Sequence, residues 1–456
     1  MTLVNGKQYK IDITGYTHDG AGVGRINGQV VFVPGALRGE EILVEIVSAK
    51  KGIVRGKTIE VITSHPGRVE PECPVYSSCG GCRLQHVSYT EQLKIKDNLV
   101  RDTLKRIGGL DDLNIQPVWG MEHPWGYRNK GHFHVGIVDN KIVLGFYEEE
   151  SHDITPQPCR FLFSKEINKL LSFLEELLNK YKLNINARDS SGLRWIMLRE
   201  SHSSGEIIVT FISKGEFSSE KEAISQEICR NFSRVVGVCL NYNEKMSGQV
   251  LGERTKKIRG KDRIEDRLDP FIYSLSIHSF FQINNIQAQK LYEKTVKLAG
   301  FTGTETVIDA YCGTGSISLF LAKKAKKVIG IEVVKEAVED AWRNAGLNNI
   351  QNIEFLKGEA EKIMPILVRK GIRPNVVVVD PPRRGCGKAL LESILEVMPE
   401  RVVYVSCNPA TLARDLKHLV AGGYEVREVQ PVDMFPQTAH VECVVLMCAS
   451  SEAGKC

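Results

Sequence analysis

The chain has 456 residues, of which 42% are hydrophobic and 25% charged. That composition excludes a disordered or fibrous protein and leaves room for two to four domains with real cores. A formal net charge of +5 suits a polyanionic partner without requiring one. No apolar run reaches membrane-span length and the N-terminus lacks a signal-type apolar core, so a cytoplasmic protein is expected. Twelve cysteines in such a chain argue for metal or catalytic use over a disulfide framework.

Residues 1–62 alternate apolar and polar positions in short segments, such as VVFVP (30–34) and EILVEIV (41–47), between Gly-rich turns. The pattern predicts a small all-β barrel of the kind that often binds oligonucleotides. Lys50, Lys51, Arg55 and Lys57 near its end either meet phosphates or form a solvated face. Residues 64–74 read as a Pro- and Gly-punctuated linker. Cys73, Cys79 and Cys82 follow with C-x5-C-x2-C spacing, and Cys159 is a fourth candidate far downstream. Thiolate quartets hold zinc or iron–sulfur clusters, and spacing alone leaves zinc as the default.

An amphipathic helix is expected from Val87 to Ile107, with Leu93, Leu99, Val100, Leu104 and Ile107 as its apolar face. The strand GYRNKGHFHVG (126–136) carries Arg128, Lys130, His132 and His134. Its polar side is either a solvated face or an RNA platform. A helix over 165–180 and strands within 185–212 come next. Residues 253–267 hold seven basic and four acidic side chains, read as a solvated loop or a clamp on backbone phosphates. From about 270, strands alternate with helices, which predicts a doubly wound α/β fold.

The chemistry concentrates in that last part. In VVYVSCNPATLARDL (402–416) an apolar strand ends at Cys407 just before a helix. Ligands bind at that edge of an open α/β sheet, and a helix N-terminus favours a thiolate. A buried, inert thiol is the alternative. Asp309-x-x-x-Gly313-x-Gly315 lacks the third Gly of a dinucleotide fingerprint, yet Glu332 ends the next strand, where a carboxylate accepts from ribose hydroxyls. No phosphate-binding Lys follows, so S-adenosylmethionine fits better than NAD or a nucleotide triphosphate. Asp380-Pro381-Pro382-Arg383 differs from amino-methylating tetrads, which carry an aromatic in the fourth place. Carbon 5 of a pyrimidine is different from an amino group: it becomes nucleophilic only after something adds to carbon 6, and a thiolate does this. A base must then take the proton at carbon 5. Glu442, where an apolar strand begins, is the candidate; alone it would read as a strand-end surface carboxylate.

The chain resembles the RNA uracil-5-methyltransferase family, in particular the branch with an iron–sulfur cluster that modifies large-subunit ribosomal RNA. The resemblance rests on C-x5-CGGC-x2-QH (73–86), FFQIN (280–284), DAYCGTG (309–315), DPPRRG (380–385), SCNPATLARDL (406–416) and HVECVVLM (440–447). It implies an N-terminal TRAM barrel over 1–62, a central α+β iron–sulfur domain over 73–268 that binds RNA, and a Rossmann-like class I methyltransferase domain over 269–456. It further implies that the helix near 87–107 packs on the methyltransferase domain. By the same resemblance Cys407 is the nucleophile and Glu442 the base. Gln282, Tyr311, Glu332 and Asp380 bind S-adenosylmethionine, and Phe280 stacks on a flipped uracil. Cys73, Cys79, Cys82 and Cys159 hold a 4Fe–4S cluster, and 23S ribosomal RNA is the partner. Cys312, Cys386, Cys443 and Cys448 are expected to pack. A transfer-RNA uracil-5-methyltransferase, or an inactive RNA binder, are the rival readings.

Overall fold

The computed structural model describes residues 3–50, 52–148, 151, 153–155, 159, 161–183, 185, 192–244 and 249–450. Lys51 of the basic group and residues 186–191 of the expected strand region lie outside the described residues.

Strands β1 (Gln8–Tyr16), β2 (Gly22–Ile26), β3 (Gln29–Val33), β4 (Glu41–Lys50) and β5 (Ile53–Thr63) close into a barrel in the order β1-β2-β3-β5-β4. Alternation drives it: Ile42, Val44 and Ile46 of β4 point inward with no exposure, and Glu41, Leu43 and Glu45 between them are partly exposed. Asn27 and Gly28 both take positive φ between β2 and β3, the geometry that lets two-residue hairpins follow the natural strand twist. The stretch after the barrel is not a slack linker. Arg68 binds Glu40 through two contacts of 2.6 Å and donates to the Gly35 carbonyl at 2.7 Å.

Helix α1 (Tyr89–Arg106) buries Gln92, Ile95, Lys96, Val100 and Leu104. Ile107, expected on the apolar face, is exposed; the buried stripe runs through a lysine and a glutamine that hydrophobicity alone does not select. A mixed sheet then forms from β6 (Lys130–Val138), β7 (Lys141–Tyr147), β8 (Ile154–Thr155), β9 (Leu193–Glu200), β10 (Ile207–Ser213), β11 (Val235–Tyr242) and β12 (Arg254–Gly260), in the order β12-β11-β10-β9-β6-β7-β8. Helices α2 (Lys165–Lys180) and α3 (Lys221–Asn231) cover one face: Leu170, Leu171 and Leu174 of α2 and Ile224 and Ile228 of α3 share its core.

The charged run at 253–267 is mostly strand, not loop. Its first part is edge strand β12; its second begins β13 (Arg263–Leu268), which pairs with β14 (Phe271–Ser276) as a hairpin. The boundary expected between 268 and 269 falls inside that hairpin. Ile264, Leu268, Phe271 and Tyr273 share one core with the α/β sheet that follows. The inward alternation of Ile264, Asp266 and Leu268 is masked in sequence by arginine and carboxylate neighbours.

The last layer contains α4 (Asn285–Ala299), β15 (Thr306–Ala310), α5 (Ser316–Ala322), β16 (Lys327–Glu332), α6 (Lys335–Leu347), β17 (Ile353–Lys357), α7 (Ala360–Arg369), β18 (Val376–Val379), α8 (Lys388–Val397), β19 (Arg401–Ser406), α9 (Pro409–Ala421), β20 (Tyr424–Val432) and β21 (Glu442–Ala449). Its sheet runs β17-β16-β15-β18-β19-β21-β20, with β21 antiparallel to both of its neighbours. Strand β18 is four valines, all buried, as a parallel strand covered on both faces requires. Chain order reverses between β15 and β18, the switch point at which such sheets bind ligands.

Helix α1 packs on this layer: Val100 and Leu104 share a core with Leu412 and Leu416 of α9 and Val429 of β20. Lys96, with no exposure, forms an ion pair with the equally buried Asp433, and the Tyr89 hydroxyl donates to the other oxygen of Asp433 at 2.8 Å. Removing one member of such a pair strands a buried charge. Lys96→Met is therefore expected to cost about 3–5 kcal/mol, read as a lowered midpoint in chemical denaturation.

Candidate active site

A cavity of about 860 Å³ opens at the switch point. Cys407, Glu442, Gln282, Tyr311, Glu332, Asp380 and Phe280 all line it, so seven side chains spread over more than 160 positions of sequence face one space. The glycine turn after β15 supplies its floor. Gly313 and Gly315 take φ of 56° and 79°, and Tyr311 takes 68°, a left-handed conformation that costs a non-glycine residue energy. The Tyr311 hydroxyl donates to Glu361 at 2.5 Å, which orients that strained residue toward α7. Glu332 at the end of β16 accepts from the Gly313 amide at 3.1 Å and the Val334 amide at 2.8 Å. The Thr314 hydroxyl donates to the Phe280 carbonyl at 3.1 Å, tying the turn to the FFQIN segment. Phe280 is 62% exposed, an aromatic face presented at the cavity wall.

Cys407 follows β19 and precedes α9, whose first turn is capped by the Asn408 side chain on the Ala410 amide at 3.1 Å. Asn408 also donates to the Arg383 carbonyl at 3.0 Å, so the DPPRRG loop and the Cys407 turn are one unit. Asp415 extends the lock: it accepts from the Cys386 amide at 2.8 Å and the Tyr404 hydroxyl at 2.7 Å.

The electrostatics differ from expectation. A helix N-terminus was expected to favour the thiolate, yet burial, then the charges of Glu442 and Asp380, push the Cys407 thiol up to about 12. Burial, then Asp380, raises Glu442 to about 8, and burial raises Asp309 and Asp380 each to about 7. Arg383 opposes the rise at both Cys407 and Glu442. Burial is the largest cause of the rise at all four groups, and for Cys407, Glu442 and Asp309 neighbouring acids add to it.

Cys73, Cys79, Cys82 and Cys159 line a second, smaller cavity of about 140 Å³ together with Tyr76, Arg128 and Phe146. Among the described residues, no group of three or more His, Cys, Asp or Glu side chains meets in the way that would hold a metal ion. The space the thiols share is several times the roughly 30 Å³ of one water. Burial pushes Cys82 up to about 12 and raises Cys79 and Cys159. The Gly81 amide lies 3.4 Å from the Cys79 sulfur. Cys312, Cys386, Cys443 and Cys448 are buried.

A family model described as tRNA (Uracil-5-)-methyltransferase matches residues 127–450, and a TRAM domain model matches residues 3–59. The chain belongs to the uracil-5-methyltransferase family. An uncharacterized RNA methyltransferase of Bacillus cereus is 46% identical over 433 residues, covering 94% of each chain. One of Clostridium tetani is 44% identical over 96% of each chain. Among solved structures, Pyrococcus abyssi tRNA (uracil-54, C5)-methyltransferase with S-adenosyl-L-homocysteine is similar with a TM-score of 0.75 and 30% identity, covering 96% of this chain and 100% of that one. The protein is thus an S-adenosylmethionine-dependent RNA methyltransferase with an N-terminal TRAM barrel. No helix among its described residues is long and apolar enough to cross a membrane.

The methyltransferase's cavity also holds residues that sequence reasoning passed over: Glu361, Phe435 and His440. His440 was within reach, since it stands two positions before Glu442 and alternation puts both on one side. Phe435 lies in a loop without any periodic signal. Burial, followed by Arg383, lowers His440 to about 4, so it faces the cavity neutral.

A raised carboxyl has a direct consequence for stability. The folded state keeps a proton on Glu442 that the unfolded chain releases above the usual value of 4.5. The stability this represents is full below that value and is lost as pH rises through about 8. Glu442→Gln, a mimic of the protonated form, is expected to match wild type near pH 4.5 and to exceed it by on the order of 2–4 kcal/mol at pH 9. Thermal unfolding across that pH range measures it.

Proposed function

We propose that this methyltransferase places a methyl group on carbon 5 of a uridine in 23S ribosomal RNA. The observation that carries the chemistry is the shared cavity wall of Cys407 and Glu442, with Arg383 acting on both. Cys407 releases its thiol proton to solvent, its sulfur adds to carbon 6 of the uracil, and the ring electron pair moves to the enolate at oxygen 4. Bound S-adenosylmethionine supplies an electrophilic methyl on a sulfonium. Carbon 5 takes that methyl, leaving S-adenosylhomocysteine. The Glu442 carboxylate then removes the proton at carbon 5, the carbon 5–carbon 6 double bond re-forms, and the Cys407 thiolate leaves. Gln282, Tyr311, Glu332 and Asp380 hold the cofactor in this reading, Glu332 through the ribose hydroxyls. Phe280 stacks on the extruded base.

That Cys73, Cys79, Cys82 and Cys159 line one cavity supports a group held by several thiolates, a 4Fe–4S cluster in this reading. Cys73, Cys79, Cys82 and Cys159 would hold it, and its contribution would be to hold these segments together. The cysteine motif supports the ribosomal RNA branch. A transfer RNA substrate is the second reading. It is favoured by the whole-length match to the Pyrococcus abyssi tRNA enzyme, which removes the N-terminal module as a discriminator between the two.

Two measurements test these readings. Protein purified without oxygen is expected to contain about four irons and four sulfides per chain; one zinc and no iron would return the site to its sequence-level default. With 5-fluorouridine RNA and S-adenosylmethionine, a covalent adduct carrying the methyl group is expected on wild type and not on Cys407→Ala, because fluorine cannot leave carbon 5 as a proton. An adduct on 23S RNA supports the first substrate; one on transfer RNA alone establishes the second.

A further inference from the structure

The segment that leads into Glu442 is held from outside its own sheet. Gln437, 2% exposed and in a left-handed conformation with φ of 70°, accepts at its carbonyl from the amides of Arg83 and Leu84 at 2.9 and 3.0 Å. Those two residues directly follow Cys82. Gln92 of α1 completes the contact. Its side-chain oxygen accepts from the Gln437 amide at 3.0 Å, and its nitrogen lies 2.9 Å from the Gln437 side-chain oxygen and 2.9 Å from the carbonyls of Leu84 and Val87. Gln92 is 1% exposed. A buried amide with its partners on both sides is a rigid link, since breaking any one of them leaves a polar atom unsatisfied. Two residues beyond Gln437, Ala439 packs with Leu37 and Leu84, and then come His440 and Glu442 on the cavity wall.

We propose that Gln92 and Gln437 form a clasp through which the cysteine loop positions Glu442 for proton removal at carbon 5. The inference rests on the reading of Glu442 as the base and adds positioning residues to it. The clasp joins the cysteine cavity to the last chemical step and leaves the first alone, because Cys407 is held separately by Asn408 and the DPPRRG loop. A misplaced Glu442 leaves addition and methyl transfer intact but stalls elimination. The enzyme then stays bonded to methylated RNA.

The test uses the full chain, an RNA that wild type methylates and its 5-fluorouridine counterpart. Gln92→Leu removes the side-chain contacts. Gln437→Gly removes the side chain while glycine adopts the same φ without strain, so it guards against a folding defect. Both variants are expected to turn over at least tenfold more slowly and to accumulate a denaturation-resistant, methyl-bearing adduct on ordinary uridine RNA. Their adduct formation on fluorouridine RNA is expected to stay within twofold of wild type. Hydrogen exchange of the 433–442 peptide is expected to accelerate in both variants and in Cys79→Ser. Turnover within twofold of wild type, or slowing without adduct on uridine RNA, overturns the clasp. Unchanged exchange in Cys79→Ser overturns its link to the cysteine loop. If wild type itself forms no Cys407 adduct on fluorouridine RNA, the addition–elimination reading fails first, and the clasp with it.

Discussion

A lysine and an aspartate 337 positions apart, Lys96 and Asp433, neutralise one another in the interior. Neither charge would be tolerated there alone, so each fixes where the other's element must lie. Lys96 also donates to the Phe435 carbonyl at 3.1 Å, and Tyr89 joins through Asp433. The pair therefore docks α1 onto the strip of chain between β20 and β21. That strip also takes contacts from the cysteine loop at Gln437, from Tyr127 at the Pro436 carbonyl at 3.0 Å, and from the barrel beside Ala439. Barrel, mixed sheet and α/β sheet converge on the stretch that ends in Glu442.

The cavity shows a second use of burial. Placing Cys407, Glu442, Asp380 and Asp309 in one low-dielectric space raises all four. The cost is stability at alkaline pH, where these carboxyls are forced to ionise. The same desolvation makes any Coulomb attraction inside the cavity larger than it would be in water.

Much of this was legible in one dimension because it depends on local chemistry. Alternation found the barrel strands; the strand–turn–helix rhythm found the α/β layer; the GxG turn and Glu332 marked one wall of the switch-point cavity. What failed did so for physical reasons. The charged run at 253–267 hid strands because only one side of β13 turns inward, and the other side carries the charges. Lys96 and Gln92 were left off the buried face of α1 because hydrophobicity cannot see a polar side chain whose partner lies hundreds of residues away. The thiolate expected of Cys407 rested on the nearest helix end, whereas its ionisation is set first by burial and then by the charges of Glu442 and Asp380, brought in from the start of β21 and the end of β18.

By itself, the sequence determined the candidate groups and the elements that carry them, since a strand end, a glycine turn or a thiol spacing is set by neighbouring residues. Tertiary structure alone decided that seven of those groups share one cavity, that four thiols share another, and that the two are joined through Gln92 and Gln437. The protonation of the site belongs to the same class. It depends on how much water and how many like charges surround each group, and only the packed fold sets those.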